Sequence, residues 1–312
     1  MIIKQLESMN QSKFNVVTFG EVLWDILPSG AVPGGAPMNV AYHLKQLGQH
    51  PTIITRIGND EMGLSLKKYF SDLSVNTDYF QLDNQFETGK VFAKLMPDNE
   101  VSYDIVSPSA WDFISCDEQL IDLVKQSDYF IYGSLASRSA MSKKTLFQLI
   151  ENASVKILDL NLRKPHYDKQ ILDELIQTAT ILKLNESELE FITGWFSNYS
   201  GIEERVKVIA DRFGIEHIVV TLGGDGAYMW MNNQSWWHKG YKVKVEDTVG
   251  SGDAFLAGLI HQLIKKATPN EMLDFACKIG AFVATQKGAC TQINVELGIR
   301  NQELGVCFSC KF

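Results

Sequence analysis

The sequence predicts an α/β protein: a mostly parallel central sheet covered by helices, with a small β-sheet set into it. Three observations carry this prediction. Apolar runs of strand length alternate with segments of helical period along most of the chain. That alternation implies a parallel sheet with helices on its faces and ligands at the strand C-terminal ends. Between residues 78 and 106 the pattern changes to two runs flanking a turn, and strands so joined pair antiparallel. Finally, Asp247-Thr248-Val249-Gly250-Ser251-Gly252-Asp253 runs straight into an apolar helix whose large residues are Leu256, Leu259, Ile260, Leu263 and Ile264.

The elements follow in order. Residues 14–19 form a short apolar run ending at Gly20, a buried strand. Neither G-x-G-x-x-G nor G-x-x-x-x-G-K-[ST] follows it, so the dinucleotide fingerprint and the Walker loop are both missing. A Gly/Pro-rich loop at 33–37 leads into a helix at 38–47, with Pro37 near its first position and Gly48 just past its end. Residues 51–57 read as a strand and 61–73 as a helix. Residues 88–96 and 101–106 flank the turn Pro97-Asp98-Asn99-Glu100. With backbone from 22–33 they are expected to form a lid sheet, about 22–33 and 78–106, inserted in a single domain spanning 14–312. Strands are then expected at 129–132, 155–159, 181–184 and 215–222, with helices at 139–152, 171–178, 186–193 and 202–213. A hairpin is expected over 228–245 around Asn232-Asn233-Gln234, with Trp236 and Trp237 packing at a sheet edge. The last long helix covers 271–286.

Composition narrows the function. The chain has 312 residues, 45% hydrophobic and 21% charged, an ordinary globular balance. A formal net charge of −8 argues against a nucleic-acid surface. No stretch reaches the ~20 apolar residues of a membrane span, and the polar residues 1–13 read as neither signal peptide nor anchor. The five cysteines are scattered, which reads as reduced thiols in a cytoplasm. Cys307 and Cys310 form a lone CxxC without partner ligands, short of a zinc site. The six histidines lack ligand spacing and read as structural.

The candidate site residues fall at strand ends and helix starts. Gly250, Ser251 and Gly252 lie at a helix mouth, where backbone N–H groups lack intrahelical partners and an anion is favoured. Asp253 then sits beside that anion. The charges repel unless the carboxylate removes a proton from a hydroxyl attacking a phosphoryl group; otherwise Ser251 and Asp253 simply cap the helix. Asp25 and Asn39 bracket Gly34-Gly35 and could each hold vicinal hydroxyls, or merely form a turn and a cap. Arg163 could hold substrate oxygens or make a surface ion pair. Asn185 and Glu188 could organise hydrated Mg²⁺ or cap the next helix. Thr221, Gly223 and Gly226 could admit a base or phosphate, or form a tight turn. Together these residues converge on one sheet edge, which the blander readings do not require.

These residues resemble the ribokinase-like (PfkB) carbohydrate kinases. Gly34 to Ala41 looks like the first family signature, and Asp247 to Phe255 matches the second, D-T-x-G-[AS]-G-D-x-F. Asn185 to Glu188 resembles the N-x-x-E element and Thr221 to Gly226 the T-L-G-x-x-G element. Glu21-x-Leu-x-Asp25, Thr88-Gly89 and Asp159-x-Asn161-x-Arg163 look most like the fructokinase branch. The resemblance implies a ribokinase-like three-layer α/β/α fold. It implies Asp253 as catalytic base and Gly250, Ser251 and Gly252 as the anion hole. Asp25, Gly34, Gly35, Asn39 and Arg163 would hold the sugar. Asn185, Thr221, Gly223 and Gly226 would line the ATP site, with Gly288-Ala289 closing over adenine. Glu188 would organise Mg²⁺ through water. A K⁺ ion, as family members hold, would use Asp247 and Val249 with backbone from Val283, Gln286 and Gly288.

The expected activity is ATP-dependent phosphorylation of D-fructose to fructose 6-phosphate by a cytoplasmic homodimer that pairs through the lid. Partners are the sugar and ATP, with no nucleic acid or membrane. The alternatives are a kinase for ribose, 2-keto-3-deoxygluconate or a nucleoside, or a non-catalytic sensor of sugar or nucleotide. A dinucleotide oxidoreductase is disfavoured by the missing fingerprint.

Overall fold

The computed structural model describes residues 15–28, 30–95, 101–196, 198 and 201–293, with backbone alone at 93–95 and 101–103. The elements in chain order begin with β1 (Asn15–Phe19), β2 (Leu23–Leu27), β3 (Gly30–Gly34), α1 (Ala36–Gln46), β4 (His50–Gly58), α2 (Glu61–Asp72) and β5 (Phe80–Asp83). There follow β6 (Gly89–Leu95), β7 (Val101–Ile105), α3 (Glu118–Lys125), β8 (Tyr129–Gly133), α4 (Ala140–Ile150), β9 (Lys156–Asp159) and α5 (Lys169–Thr178). The chain continues through β10 (Ile181–Asn185), α6 (Glu186–Thr193), α7 (Ile202–Phe213), β11 (His217–Thr221), β12 (Ala227–Met231) and β13 (Gln234–His238). It closes with α8 (Ser251–Ile264) and α9 (Pro269–Ala284).

Local chemistry sets the helix limits. Asp60 and Asp168 accept from the backbone N–H three residues on, opening α2 and α5. Reciprocal capping boxes, Asn185 with Glu188 and Thr268 with Glu271, open α6 and α9. Gly214 closes α7 in a left-handed conformation, φ 68°. α1, α7 and α8 each start at a glycine with no side-chain cap.

Nine strands form the large sheet in the order β13-β12-β11-β10-β9-β8-β1-β4-β5. Pairing is parallel from β11 to β5 and antiparallel at β11-β12-β13. Alternate strand residues supply opposite faces, as a strand period of two requires. Val17, Phe130, Leu158, Leu182 and Val220 pack with α3 to α7. Val16, Ile131, Ile157, Ile181 and Val219 pack with α1, α8 and α9. The result is the three-layer α/β/α arrangement the sequence predicts.

A second sheet, ordered β3-β2-β6-β7, joins the turn-linked runs to the backbone near residue 30. β6 and β7 pair antiparallel as expected, while β2 and β6 run parallel. One boundary needs correction. Residues 80–83, placed in the small sheet by the sequence reading of 78–106, pair in parallel with β4 at the edge of the large sheet. Their Phe80 is buried against Ile57 and Phe70, and this apolar anchorage outweighs proximity to the hairpin. The expected hairpin at 228–245 is shorter, ending at His238; Asn232 and Asn233 turn it with positive φ. Trp236 faces the core, whereas Trp237 is 50% exposed on the edge strand. α3 has no counterpart in the sequence reading. The turn at 97–100, residues 1–13 and the CxxC of Cys307 and Cys310 lie outside the described residues.

Candidate active site

Parallel strands bring their C-terminal ends to one edge. Along that edge stand Thr221, Asn185, Asp159 and Gly133, with Gly20 and Glu21 following the end of β1. The glycine-led starts of α1 and α8 meet above it. Asn39, in the first turn of α1, donates from Nδ2 to Asp253 Oδ2 at 2.8 Å. Residues 214 apart in sequence thus share one bond, joining the two-glycine turn to the acidic residue of the second motif.

Gly250, Ser251 and Gly252, expected to receive an anion, form the start of α8. Gly250 takes φ 78°, and a Cβ there would lie 2.5 Å from Ala289, so only glycine fits. No side chain caps α8; the Ser251 N–H donates to the Thr248 carbonyl at 3.2 Å, so of the three expected anion donors Ser251 is already engaged and the helix mouth offers the N–H groups beside it. Beneath Gly252 lies Lys183, whose Nζ would be 3.3 Å from a Cβ at that position. Lys183, 6% exposed, donates to both oxygens of Asp159 at 2.9 Å. Burial pushes the Lys183 pKa down, but Asp159, Asp253 and Glu188 together push it further up, so it is a fixed cation. Burial and the Asp159 charge raise Asp253 to about 6 against the opposing pull of Lys183, Asn39 and Arg163. Asp253 is therefore ionised at neutral pH, yet more basic than an exposed carboxylate.

Asp25 and Gly34 are diagonal neighbours across the β2-β3 hairpin, Gly34 being opposite Leu23. A Cβ at Gly34 would overlap Asp25 Oδ2, and one at Gly35 would overlap the Glu21 carbonyl. Burial raises Asp25 to about 6, with Arg163 opposing. Arg163 is exposed and donates to the Leu162 carbonyl; its charge acts on Glu21, Asp25 and Asp253 alike. Glu21, 3% exposed, accepts from Ala36 N–H through Oε1 at 3.3 Å, and its Oε2 has no partner. Burial raises its pKa to about 7, tempered by the backbone N–H groups of Glu21 and Ala36.

On the other side, Asp247 accepts from Val249 N–H and Gly288 N–H, each at 3.0 Å. This carboxylate gathers the 247–249 loop and the 288–289 turn, and Val283 accepts from Gln286 N–H close by. His43 on α1 bonds through Nε2 to the Ala289 carbonyl at 2.9 Å, and burial lowers its pKa to about 4, so it is neutral. Cys290 donates from Sγ to Asn39 Oδ1 at 3.5 Å. Thr221, Gly223 and Gly226 form the turn after β11, with φ of 58° and 95° at the two glycines. A Cβ at Gly226 would overlap the His238 carbonyl.

Glu188 behaves as a strut. Its oxygens accept from Leu162 N–H and Asn185 N–H, both at 2.8 Å, and it closes the capping box with Asn185. Both carboxylate oxygens retain lone pairs, which suits contact with a hydrated cation better than direct ligation. Among the described residues, no three His, Cys, Asp or Glu side chains are grouped to hold a metal ion.

The structure thus groups Asp25, Gly34, Gly35, Asn39, Arg163 and Asp253 at one end, and Asp247, Val249, Val283, Gln286 and Gly288 around another. Asn185, Glu188 and Thr221 follow adjacent strands. The sequence reading assigned no site role to Lys183, Asp159, Glu21, His43 or Cys290. A lysine interrupts the apolar, fully buried run Ile181–Leu184 of β10, a signal for Lys183 legible in the sequence. The others depend on contacts between distant segments.

Comparison with known proteins identifies relatives of this chain. The profile of pfkB family carbohydrate kinases matches residues 29–295. The chain is 29% identical to fructokinase-1 of Zea mays over 90% of its own length and 95% of the relative's. Among solved structures, it superposes with TM-score 0.78 and 27% identity on a double-mutant fructokinase from Vibrio cholerae O395 in fructose, ADP and potassium ion bound form. That match covers 90% of this chain and 95% of that one. An uncharacterized sugar kinase from Pyrococcus horikoshii in complex with ATP gives TM-score 0.78 at 26% identity, covering 92% and 98%. No helix of the described residues is long and apolar enough to cross a membrane.

Proposed function

The chain belongs to the pfkB family of carbohydrate kinases, and from that premise we propose that it is a fructokinase transferring the γ-phosphoryl group of ATP to O6 of D-fructose. The observation that carries the reading is the 2.8 Å bond from Asn39 to Asp253, which puts the sugar-side turn within one hydrogen bond of a base. Similarity to proteins named fructokinase over most of the chain supports the choice of sugar.

Asp25, Asn39, Arg163 and the backbone at Gly34-Gly35 hold the sugar. Asp253 accepts the proton of its primary hydroxyl, contributing ~10²–10⁴-fold. N–H groups at Gly250 and Gly252 take up charge on the migrating phosphoryl group, the Ser251 N–H being held by the Thr248 carbonyl, and Lys183 supplies positive charge beneath them. Asn185, Thr221, Gly223, Gly226, Gly288 and Ala289 line the nucleotide end. Mg²⁺, when bound with the nucleotide, neutralises charge on the phosphates; Glu188 fits it through water. The oxygen donors of Asp247, Val249, Val283, Gln286 and Gly288 suit a hard monovalent cation such as K⁺. The small sheet would close over the sugar and exclude water. Its Phe92, 38% exposed, supports pairing of two copies through that sheet in a cytoplasmic enzyme.

Two measurements test the reading. ADP release over a panel of fructose, ribose, 2-keto-3-deoxygluconate and nucleosides should rank fructose first by kcat/KM; a low rank removes it as substrate. Asp253→Asn should retain ATP binding and lose ~10²-fold or more in turnover; unchanged turnover contradicts the assigned base.

A further inference from the structure

The turn at 288–290 touches both ends of the site through separate bonds. Gly288 N–H donates to Asp247, the Ala289 carbonyl is bonded by His43, and Ala289 packs on Gly250. The next residue, Cys290, lies between α1 and the start of α8, with its Sγ 3.5 Å from Asn39 Oδ1. A primary amide has one acceptor end and one donor end, and Asn39 uses both. Its oxygen faces the thiol and its nitrogen faces Asp253 at 2.8 Å. Reversing the amide would oppose its oxygen to a carboxylate oxygen. Asp253 alone therefore sets the preferred direction, and a donor at position 290 removes the remaining freedom of rotation.

We infer that Cys290 is a positioning residue for the base: by donating to Asn39 Oδ1 it holds the amide so that Nδ2 points at Asp253. The inference rests on the reading of Asp253 as the base. Cys290 itself touches neither reacting atom. Burial raises its pKa, with the charges of Asp253 and Asp25 adding to the rise, so the thiol stays protonated and remains a donor. An Asn39 bond to Asp253 favours the ionised carboxylate. Loosening it raises the pKa of the base and moves the acid limb of the pH profile upward. Other groups acting on Asp253 are Asp159 at the end of β9, Arg163 in the loop after β9, Lys183 on β10, Glu21 just after β1 and Asp25 on β2. None of these changes in the variants below.

The test compares kcat/KM for the sugar against pH in Cys290→Ser, Cys290→Val and the unchanged enzyme, with Asp253→Asn alongside. Valine keeps the packing and removes the donor; serine keeps the donor. Valine should shift the acid limb upward by about half a pH unit, a ~3-fold loss on that limb. KM for ATP should stay unchanged, and serine should restore the profile. A valine limb that coincides with the unchanged enzyme, or a serine limb displaced as far as valine's, overturns the inference while leaving the kinase reading intact. Full turnover in Asp253→Asn would overturn both. Thermal unfolding of each variant separates a local effect from loss of fold, and Cys290→Ala, which also lacks the donor, takes the place of valine with the same expected and overturning outcomes if valine unfolds.

Discussion

Lys183 donates to both carboxylate oxygens of Asp159, at 2.9 Å each, from the neighbouring strand and directly under the Gly250–Gly252 loop. Strand pairing sets this contact: Lys183 and Asp159 are register partners in β10 and β9. The pair places a fixed cation below the spot where an anion would rest, with Asp159 and Asp253 as its counter-charges.

Lys183→Met should therefore harm both stability and chemistry. It leaves Asp159 buried and unpaired, a loss of about 3–5 kcal/mol, to be read by denaturant unfolding. It also removes a charge that lowers the Asp253 pKa, so the acid limb of kcat/KM should move to higher pH. Unaltered stability and an unmoved limb would show that the pair is neither structural nor coupled to the base.

The unchanged enzyme should lose kcat/KM as pH falls through about 6, where Asp253 takes up a proton. Initial rates at saturating ATP across pH 5 to 8 check this, and activity that stays flat to pH 5 would contradict the ionised base.

Glu21→Gln should stabilise the free protein at pH 8 and make little difference near pH 4. The sign follows from linkage. The folded pKa, about 7, lies above the ordinary 4.5, so the folded state holds this proton more tightly and loses stability as pH rises between the two values. Removing the titration should recover on the order of 3 kcal/mol above pH 7, measured as the variant-minus-parent difference in unfolding free energy.

Gly34→Ala should weaken the sugar end alone. Its Cβ would overlap Asp25 Oδ2 and must push that carboxylate aside. Displacement by an ångström can cost ~10²-fold in kcat/KM for the sugar. Nucleotide affinity by calorimetry should remain as it was, and a parallel loss there would place Gly34 elsewhere in the mechanism.

Replacing K⁺ with tetramethylammonium should lower kcat several-fold, and Asp247→Asn should abolish the difference between the two cations. A steady rate across both would remove the monovalent site assigned to Asp247 and its neighbouring carbonyls.

Much of this protein was legible in local pattern. Helix limits were readable because caps act within three residues: 186–193 and 202–213 match α6 and α7 as expected from sequence. Strand alternation with helices gave the sheet class, and glycines before Asp253 marked the anion loop, since both signals lie within a dozen residues. What tertiary structure alone decided were pairings between remote segments: Asn39 with Asp253, His43 with Ala289, Cys290 with Asn39, and β5 with β4 rather than with the small sheet. Such contacts follow from strand order and from which apolar faces pack, and neither is encoded in the spacing of neighbouring residues. The raised pKa values of Glu21, Asp25 and Asp253 belong to the same class, because burial and the charges of distant side chains exist only once the sheet has assembled.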